Sequence, residues 1–378
     1  MRIAQLTYST RPRGGVVHTL ALAEALAARG HEVTVWTLGR GGDDAFFRAV
    51  DPAVTIRVVP FAAREGEEVG ARIVRSIAEF SAALDGASAD VVHAQDCISA
   101  NAVPDGVGLI RTIHHLDTFS TPELVACHDR AIRRPSARLC VSEAVAAEVE
   151  SGWGLRPSVI PNGVDAERFA ATDPRDRAEW TVELGRYVLA LGGIEPRKGS
   201  IDLLEAFARL RSTHPELALV FGGGETLFDY RDYRAQFEAR AVHLGVAPIV
   251  LGTIEEERLA PLVAAASALA FVSIKEGFGL AAMEALAAGV PVVARRLPVL
   301  EEVFGEAVLY GDDPDSFAAA LSAGVDGGAP EPEIGRRLAR SHRWDDVAQR
   351  HELFYRAVLR EGGDHGASID LEDPQLTR

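Results

Sequence analysis

The sequence predicts an α/β protein with two doubly wound domains, and three observations carry this prediction. Short apolar runs typical of buried strands alternate with helix-like apolar patterns along most of the chain. Glycines stand where strands pass into helices, as at Gly14 and Gly15. The length of 378 residues suits two domains that each have their own core.

The first half begins with an apolar run at residues 3–8, which is typical of a buried strand. A glycine turn then leads into a helical pattern that Gly30 ends, and the next strand covers residues 33–38. Strand, turn, helix and strand form the unit from which parallel sheets are built. Further strand-like runs of this half are residues 90–93, 109–113, 138–141 and 158–160.

Residues 161–186 are rich in Asp, Pro, Arg and Gly without a strong period, and we interpret them as a hinge. A second alternating series starts at residues 187–191. Its further strands are predicted at residues 217–221, 248–251, 268–272, 291–294 and 307–310, with a glycine turn at 222–224 and a final helix at 344–360. The predicted divisions are an N-terminal domain 1–165, a C-terminal domain 166–342, a helix 343–361 packing back toward the N-terminal domain, and a flexible tail 362–378.

Composition excludes several classes of protein. With 47% hydrophobic and 25% charged residues, the chain is globular rather than disordered or fibrous. A formal net charge of -16 argues against nucleic-acid binding and against a polybasic membrane anchor. The best candidate for a local basic patch comprises Arg130, Arg133, Arg134 and Arg138, and a helix-end or solvated surface cluster is the better interpretation.

Three cysteines without a CxxC spacing argue against a disulfide framework and against a zinc site. Cys140 lies in an apolar run and is expected to be a small buried side chain. The sequence shows neither a signal peptide nor an apolar run of about 18 residues, so no transmembrane segment is predicted. We therefore expect a cytoplasmic protein, and nothing in the sequence supports peripheral contact with a membrane.

Gly14 and Gly15 stand between a strand and a helix, where backbone N–H groups can bind an anion. They are candidate donor-binding residues, although glycine at such a turn is more often only a turn. The GxGxxG spacing of a dinucleotide site is missing, which disfavours a nicotinamide oxidoreductase.

A second motif places two carboxylates around a glycine-rich helix start. Glu276 follows a strand end and Glu284 lies about one turn inside the next helix, so both can face the same cleft. The backbone amides between them suit a diphosphate. The residues of this loop are Gly277, Phe278, Gly279 and Leu280.

This motif and the run that follows it at residues 285–293 closely resemble retaining glycosyltransferase family 4. The resemblance extends from Gly14 to Trp344 and includes residues 28–33, 141–142 and 161–165. It implies the GT-B fold, in which two Rossmann-like domains face an interdomain cleft. It also implies transfer of a sugar from a nucleotide donor with retention of anomeric configuration, usually without a metal.

The resemblance implies roles for single residues. Glu276 would approach hydroxyls of the donor sugar, Glu284 would hold the ribose, and amides of the loop at 277–280 would approach the donor. In a histidine-containing strand end at residues 112–115, His114 would reach the reacting sugar. Alternation along a strand puts the side chain of His115 on the opposite side.

The family places an arginine and a lysine on the donor diphosphate after the first strand of the second domain, where charge develops on the leaving group. Lys198 matches the lysine, but Gly193 stands at the usual arginine position. We assign the missing charge to Arg197. The alternative is that Arg197 is only an exposed basic residue beyond the turn. Arg197 and Lys198 join His114 and Glu276 as the predicted catalytic residues.

No metal and no cofactor are predicted beyond a UDP- or GDP-linked sugar as substrate. Asp313 and Asp315 formally make a DxD motif, but a loop and helix cap is the better interpretation. The acceptor is expected to be a small molecule or a glycan, bound by the first domain around Gly15 and His114. The alternatives that remain are a sugar-nucleotide epimerase or phosphorylase of GT-B type and a catalytically silent partner of a glycosyltransferase.

Overall fold

The computed structural model describes residues 1–85, 88–117, 119, 121–223 and 230–361. The chain divides into two compact units. Unit 1 comprises Met1–Gly163 and the C-terminal segment that begins at Trp344, and unit 2 comprises Val164–Arg343. The predicted tail 362–378 and Gly224 of the predicted glycine turn lie outside the described residues.

Unit 1 is built on a parallel sheet with strand order β3-β2-β1-β4-β5-β6-β7. Its strands are β1 (Arg2–Leu6), β2 (Glu32–Arg40), β3 (Val54–Phe61), β4 (Val91–Ala94), β5 (Leu109–Ile113), β6 (Ala137–Cys140) and β7 (Ser158–Val159). Its first helices are α1 (Gly14–Ala28), α2 (Val69–Leu84), α3 (Cys97–Ala102), α4 (Pro122–Arg133) and α5 (Glu143–Trp153). Every residue of β5 is buried, as expected for a strand covered on both faces.

Unit 2 begins with two short helices, α6 (Ala166–Ala170) and α7 (Pro174–Leu184). Its parallel sheet has the order β10-β9-β8-β11-β12-β13. The strands are β8 (Tyr187–Leu191), β9 (Ala218–Gly222), β10 (Ile249–Gly252), β11 (Ala268–Phe271), β12 (Val292–Arg295) and β13 (Leu309–Gly311). The remaining helices are α8 (Ser200–Leu210), α9 (Arg231–Leu244), α10 (Glu256–Ala265), α11 (Leu280–Ala288), α12 (Pro298–Phe304), α13 (Pro314–Val325) and α14 (Pro332–Arg340).

The last helix, α15 (Trp344–Glu361), returns to unit 1. Phe354 and Tyr355 are buried in the same core cluster as Leu20 and Leu22 of α1. The N-terminal sheet therefore gains part of its core from the far end of the chain.

Residues 161–186, interpreted as a hinge, contain the boundary between the two units at Gly163 and Val164, and α6 and α7 occupy most of the segment. Trp180 is the buried residue of α7, and its indole N–H donates to the carbonyl of Arg258 at 3.2 Å. A helix that buries a single side chain shows no apolar period, so the sequence pattern could not reveal it.

Each sheet has a topological switch point, where the order in which successive strands are added reverses. In unit 1 the strand order passes from β1 to β4, and in unit 2 from β8 to β11. In open α/β sheets ligands bind beyond the carboxyl ends of the strands at such a point. The residues that follow β1, β4, β8 and β11 are therefore the expected ligand-binding residues.

Candidate functional site

In unit 2 the segments after β8 and β11 bring together three of the predicted catalytic residues. Nζ of Lys198 lies 2.5 Å from Oε1 of Glu276, and Nη1 of Arg197 lies 3.2 Å from the same oxygen. The backbone N–H of Ile274 donates to the carbonyl of Arg197 at 2.8 Å, which ties the two segments together. One carboxylate at the switch point thus holds both cations in place.

Local geometry explains why these cations point inward. Glu195 accepts from Nη2 of Arg197 at 3.2 Å, so this arginine lies between two carboxylates. Its side chain is 26% exposed and that of Lys198 is 20% exposed. Lys198 packs against Gly192, where a Cβ would stand 3.2 Å from Cε of the lysine. The side chain of Arg197 is therefore not fully exposed beyond the turn but is held between Glu195 and Glu276.

The glycine-rich loop before α11 is shaped by Gly279, which has a φ of +100° and forms the N-cap of the helix. A Cβ at Gly279 would stand 2.7 Å from Cζ of Phe304, so only glycine fits. The side chain of Phe278 is buried and contacts the ring of His342 at 5.6 Å between centroids. Phe278 can therefore offer a ligand only its backbone, as the two glycines of the loop can.

Glu284 lies in the second turn of α11 and faces a different group from Glu276. Its neighbours are Arg168 of α6 and Glu256 of α10, which form an ion pair with each other. No contact between Glu284 and Glu276 is seen in the described part of the chain. Burial raises the pKa of Glu284 to about 8, and the charge of Arg168 opposes this effect.

Replacing Glu284 by glutamine should remove a pH dependence from the stability of the protein. The folded state holds the Glu284 proton more tightly than the unfolded chain, so the free energy of unfolding falls as pH rises from the ordinary glutamate pKa of 4.5 to about 8. Glu284→Gln does not titrate, and its stability relative to wild type should be greater at high than at low pH by about 1 kcal/mol or more. Urea unfolding below and above this window checks the result, with the exposed Glu257→Gln on α10 as the matched control. Equal differences at both pH values would contradict the raised pKa.

In unit 1 the structure brings together Gly15 and His114. A Cβ at Gly15 would stand 3.5 Å from Cδ2 of His114, whereas Gly14 is exposed with no atom within 4 Å of such a Cβ. His114 follows β5 and faces the start of α1 at the switch point. His115 turns away and contacts Asp117 at 3.1 Å.

A buried residue that the sequence did not single out fixes the protonation of His114. Oε1 of Gln95, which follows β4, lies 3.0 Å from Nε2 of His114. With the amide in this orientation its oxygen can only accept, so Nε2 carries the proton and Nδ1 is the acceptor. Burial, and then the charge of His18, lower the pKa of His114 well below the ordinary histidine value of 6.5. The imidazole is therefore neutral at neutral pH.

Gln95 belongs to a buried polar network behind the histidine. Its Nε2 donates to Gln5 at 3.0 Å, and Gln5 donates to the hydroxyl of Tyr355 at 3.0 Å. Tyr355 also contacts His93 at 2.7 Å. The position of Gln95 directly after a central strand was the available signal, but its partners come from distant parts of the chain.

The other residues that the sequence singled out have contacts of their own. Asp313 accepts from the backbone N–H of Ser316 in a capping box at the start of α13, so the cap interpretation is confirmed. The basic residues near the end of α4 also behave as a helix-end cluster, because Arg134 donates to three carbonyls and Arg133 pairs with Asp129 at 3.0 Å. Cys140 is fully buried, as expected.

In the described residues, no group of three or more His, Cys, Asp or Glu side chains is arranged to hold a metal ion. Among the same residues, none of the helices combines the length and apolar character needed to cross a membrane.

Two family profiles match consecutive parts of the chain. Residues 12–168 match the profile described as Glycosyltransferase Family 4, and residues 173–327 match that of Glycosyl transferases group 1. The glycogen synthase of Mycobacterium tuberculosis strain H37Rv is 30% identical over 411 residues, which cover 95% of this chain and 95% of that protein. The chain therefore belongs to the family 4, group 1 glycosyltransferases.

The chain is also similar to a second curated enzyme and to two solved structures. The D-inositol 3-phosphate glycosyltransferase of Geodermatophilus obscurus is 29% identical, covering 95% of this chain and 90% of that enzyme. Among solved structures, sucrose-phosphate synthase from Thermosynechococcus elongatus has a TM-score of 0.78 at 19% identity, covering 96% of this chain and all of that one. Anabaena HepE in complex with UDP and glucose has a TM-score of 0.73 at 20% identity, covering 94% of this chain and 100% of that one. These structures confirm the predicted GT-B fold class.

Proposed function

We propose that the chain is a retaining glycosyltransferase that moves a sugar from a UDP- or GDP-linked donor to an acceptor hydroxyl and forms an α-glycosidic bond. The observation that carries this proposal is the meeting of Arg197 and Lys198 on Glu276 at the switch point of unit 2. The Gly277–Leu280 loop, which ends at the start of α11, follows directly. This arrangement offers positive charge and free backbone N–H groups in one place.

The diphosphate of the donor is the natural ligand for this place. Arg197 and Lys198 would bind its oxygens, and the positive end of α11 would add to their effect. As the bond between the sugar C1 and the diphosphate breaks, negative charge grows on the leaving oxygen. Cations that are already held in position stabilise this charge without reorganising.

The other predicted residues would bind the sugar and the ribose of the donor. Glu276 would accept hydrogen bonds from sugar hydroxyls and Glu284 from the ribose. Nδ1 of His114 would accept a hydrogen bond from a sugar hydroxyl, since Gln95 occupies Nε2. The acceptor oxygen, bound by unit 1, would attack C1 on the face that the diphosphate leaves, and its proton would pass to a leaving phosphate oxygen. The products are an α-glycoside and a nucleoside diphosphate.

A donor screen tests this function. UDP-, GDP- and ADP-sugars are added to the full chain, and a donor at about 100 times its dissociation constant should raise the stability by roughly 2.7 kcal/mol. For the donor that binds, NMR of the product should show the α-anomer. A β-anomer would overturn retention, product formed without an acceptor would indicate an epimerase, and a dependence on phosphate would indicate a phosphorylase. Donor binding without turnover would indicate a silent partner.

We expect turnover to survive chelation with EDTA. The proposal supplies positive charge on the diphosphate from Arg197, Lys198 and backbone amides, so the leaving group needs no divalent cation. Initial rates with EDTA should equal those with added Mg²⁺ or Mn²⁺. A loss of turnover in EDTA that Mg²⁺ restores would contradict metal independence and return Asp313 and Asp315 to consideration.

A further inference from the structure

Three arginines from separate elements converge at the carboxyl edge of the unit 1 sheet. Arg13 is the N-cap of α1, Arg40 is the last residue of β2, and Arg72 lies in the first turn of α2. All three side chains are half-buried. We call them the arginine cluster.

Arg13 and Arg40 both contact Tyr8 and are therefore neighbours. Nη1 of Arg13 lies 3.4 Å from the hydroxyl of Tyr8, and the guanidinium of Arg40 lies 5.5 Å from the centre of the same ring. Burial lowers the pKa of Arg40, the charges of Arg72 and Arg13 lower it further, and Tyr8 and Asp96 act in the opposite direction. Arg13 and Arg72 are therefore each close enough to Arg40 for their charges to repel it.

No carboxylate of the described residues lies within ion-pair distance of the arginine cluster, although the chain carries a net charge of -16. The nearby acidic groups are already engaged. Asp96 accepts from the backbone N–H groups of Tyr8 and Ser99, Asp43 accepts from Thr10 and pairs with Arg11 at 3.8 Å, and Glu67 is held by Arg75.

Half-buried like charges that have no carboxylate partner destabilise a fold, and a bound anion would relieve their repulsion. Guanidinium groups bind phosphate oxygens in a fork geometry, and three of them suit a dianion. Arg13 precedes by two residues Gly15, which lies against His114. An anion on the arginine cluster would therefore lie next to the place where His114 meets the reacting sugar.

We propose that the acceptor of this enzyme carries a phosphate monoester, which the arginine cluster binds. The inference rests on the proposed function in placing the acceptor on unit 1. It goes beyond that function because it names the chemical class of the acceptor and the residues that select it. Arg40 and Arg72 act on specificity, since they contact the anion rather than the reacting atoms.

Calorimetry with inorganic phosphate tests the site directly. Arg40→Gln and Arg72→Gln remove a charge but keep most of the side chain, and each should weaken phosphate binding by about tenfold or more. Arg13→Gln repeats the test from a third element. Arg64→Gln is the matched control, because Arg64 is exposed in the same unit and already lies 3.8 Å from Glu79. Wild-type phosphate affinity in both Arg40→Gln and Arg72→Gln would overturn the proposal.

Lys198→Ala separates this site from a diphosphate site in unit 2. Phosphate binding should persist in Lys198→Ala, and its loss there, with normal binding in Arg40→Gln, would overturn the proposal. Donor binding by the wild type is measured in parallel. Donor binding without phosphate binding overturns the arginine site alone, whereas phosphate binding without donor binding overturns the proposed function and leaves the anion site standing.

An acceptor panel then tests the chemical class. With the donor that binds, glucose, glucose 6-phosphate and glucuronate are compared as acceptors. The phosphate ester should have a kcat/KM at least about tenfold above the neutral sugar, and Arg40→Gln should abolish this preference. A preference for glucuronate would assign a carboxylate and overturn the phosphate, and equal use of all three would overturn anion selection.

Discussion

Replacing Lys198 by alanine is expected to lower kcat/KM by about 10²-fold or more, and Arg197→Ala should have a comparable effect. This is the scale for removing one preorganised charge from a developing anion in a site with little water. Both cations contact the carboxylate of Glu276, at 2.5 Å and 3.2 Å, so both lie where a leaving diphosphate would gain charge. Steady-state kinetics with the donor identified by the screen provides the measurement.

The double variant distinguishes a shared role from two separate ones. If Arg197 and Lys198 act on the same leaving group, the loss in the double variant should be smaller than the sum of the two single losses in free energy. Arg186→Ala is the control, because it removes a positive charge from an exposed ion pair of unit 2. Near-wild-type kinetics for Arg197→Ala would leave Lys198 and the backbone amides as the only diphosphate ligands.

Gly193→Arg probes the departure from the family pattern. If space remains for the usual side chain, this substitution should partly restore activity to Arg197→Ala and do little for Lys198→Ala. Rescue of both to the same degree would indicate a general effect of added charge rather than a replaced contact.

Gly279→Ala should destabilise unit 2 by about 3 kcal/mol, because two penalties add. The left-handed φ of +100° costs an alanine about 1–2 kcal/mol. The new Cβ would also stand 2.7 Å from Cζ of Phe304, a fully buried side chain, and repacking around such a contact typically costs about 1–3 kcal/mol. Donor affinity should fall as well, because Gly279 shapes the loop whose amides are proposed to bind the donor.

Gly245→Ala is the matched control for the backbone alone. Gly245 ends α9 with a φ of +63°, and no atom lies within 4 Å of its Cβ position. Its loss should therefore be limited to about 1–2 kcal/mol of backbone strain. The free energies of unfolding in urea provide the comparison, and equal losses in the two variants would show that Phe304 moves aside without cost.

Much of the fold could be predicted from the sequence because buried strands and amphipathic helices leave local patterns. The run at residues 109–113 is strand β5 without a shift, and 187–191 is β8. Hydrophobic patterns did not reveal elements in which few residues are buried. Strand β3 was not predicted, since its exposed and half-buried residues outnumber its buried ones, and α7 was missed for the same reason.

The candidate site was predictable to the extent that it lies at strand ends. Arg197, Lys198 and Glu276 stand directly after two neighbouring strands, so a sequence motif could identify them. The motif could not show that Arg168 and Glu256 lie near Glu284. That outcome depends on how α6, α10 and α11 pack.

What the sequence alone determined is the α/β class, the family and the residues at the strand ends, because each of these is written in contiguous segments. Only the tertiary structure decided the hydrogen bond of Gln95 to His114 and the convergence of Arg13, Arg40 and Arg72. Their elements are far apart along the chain and become neighbours only at the edge of a folded sheet. Electrostatic repulsion and hydrogen bonding depend on distance in space, so no local pattern could reveal them.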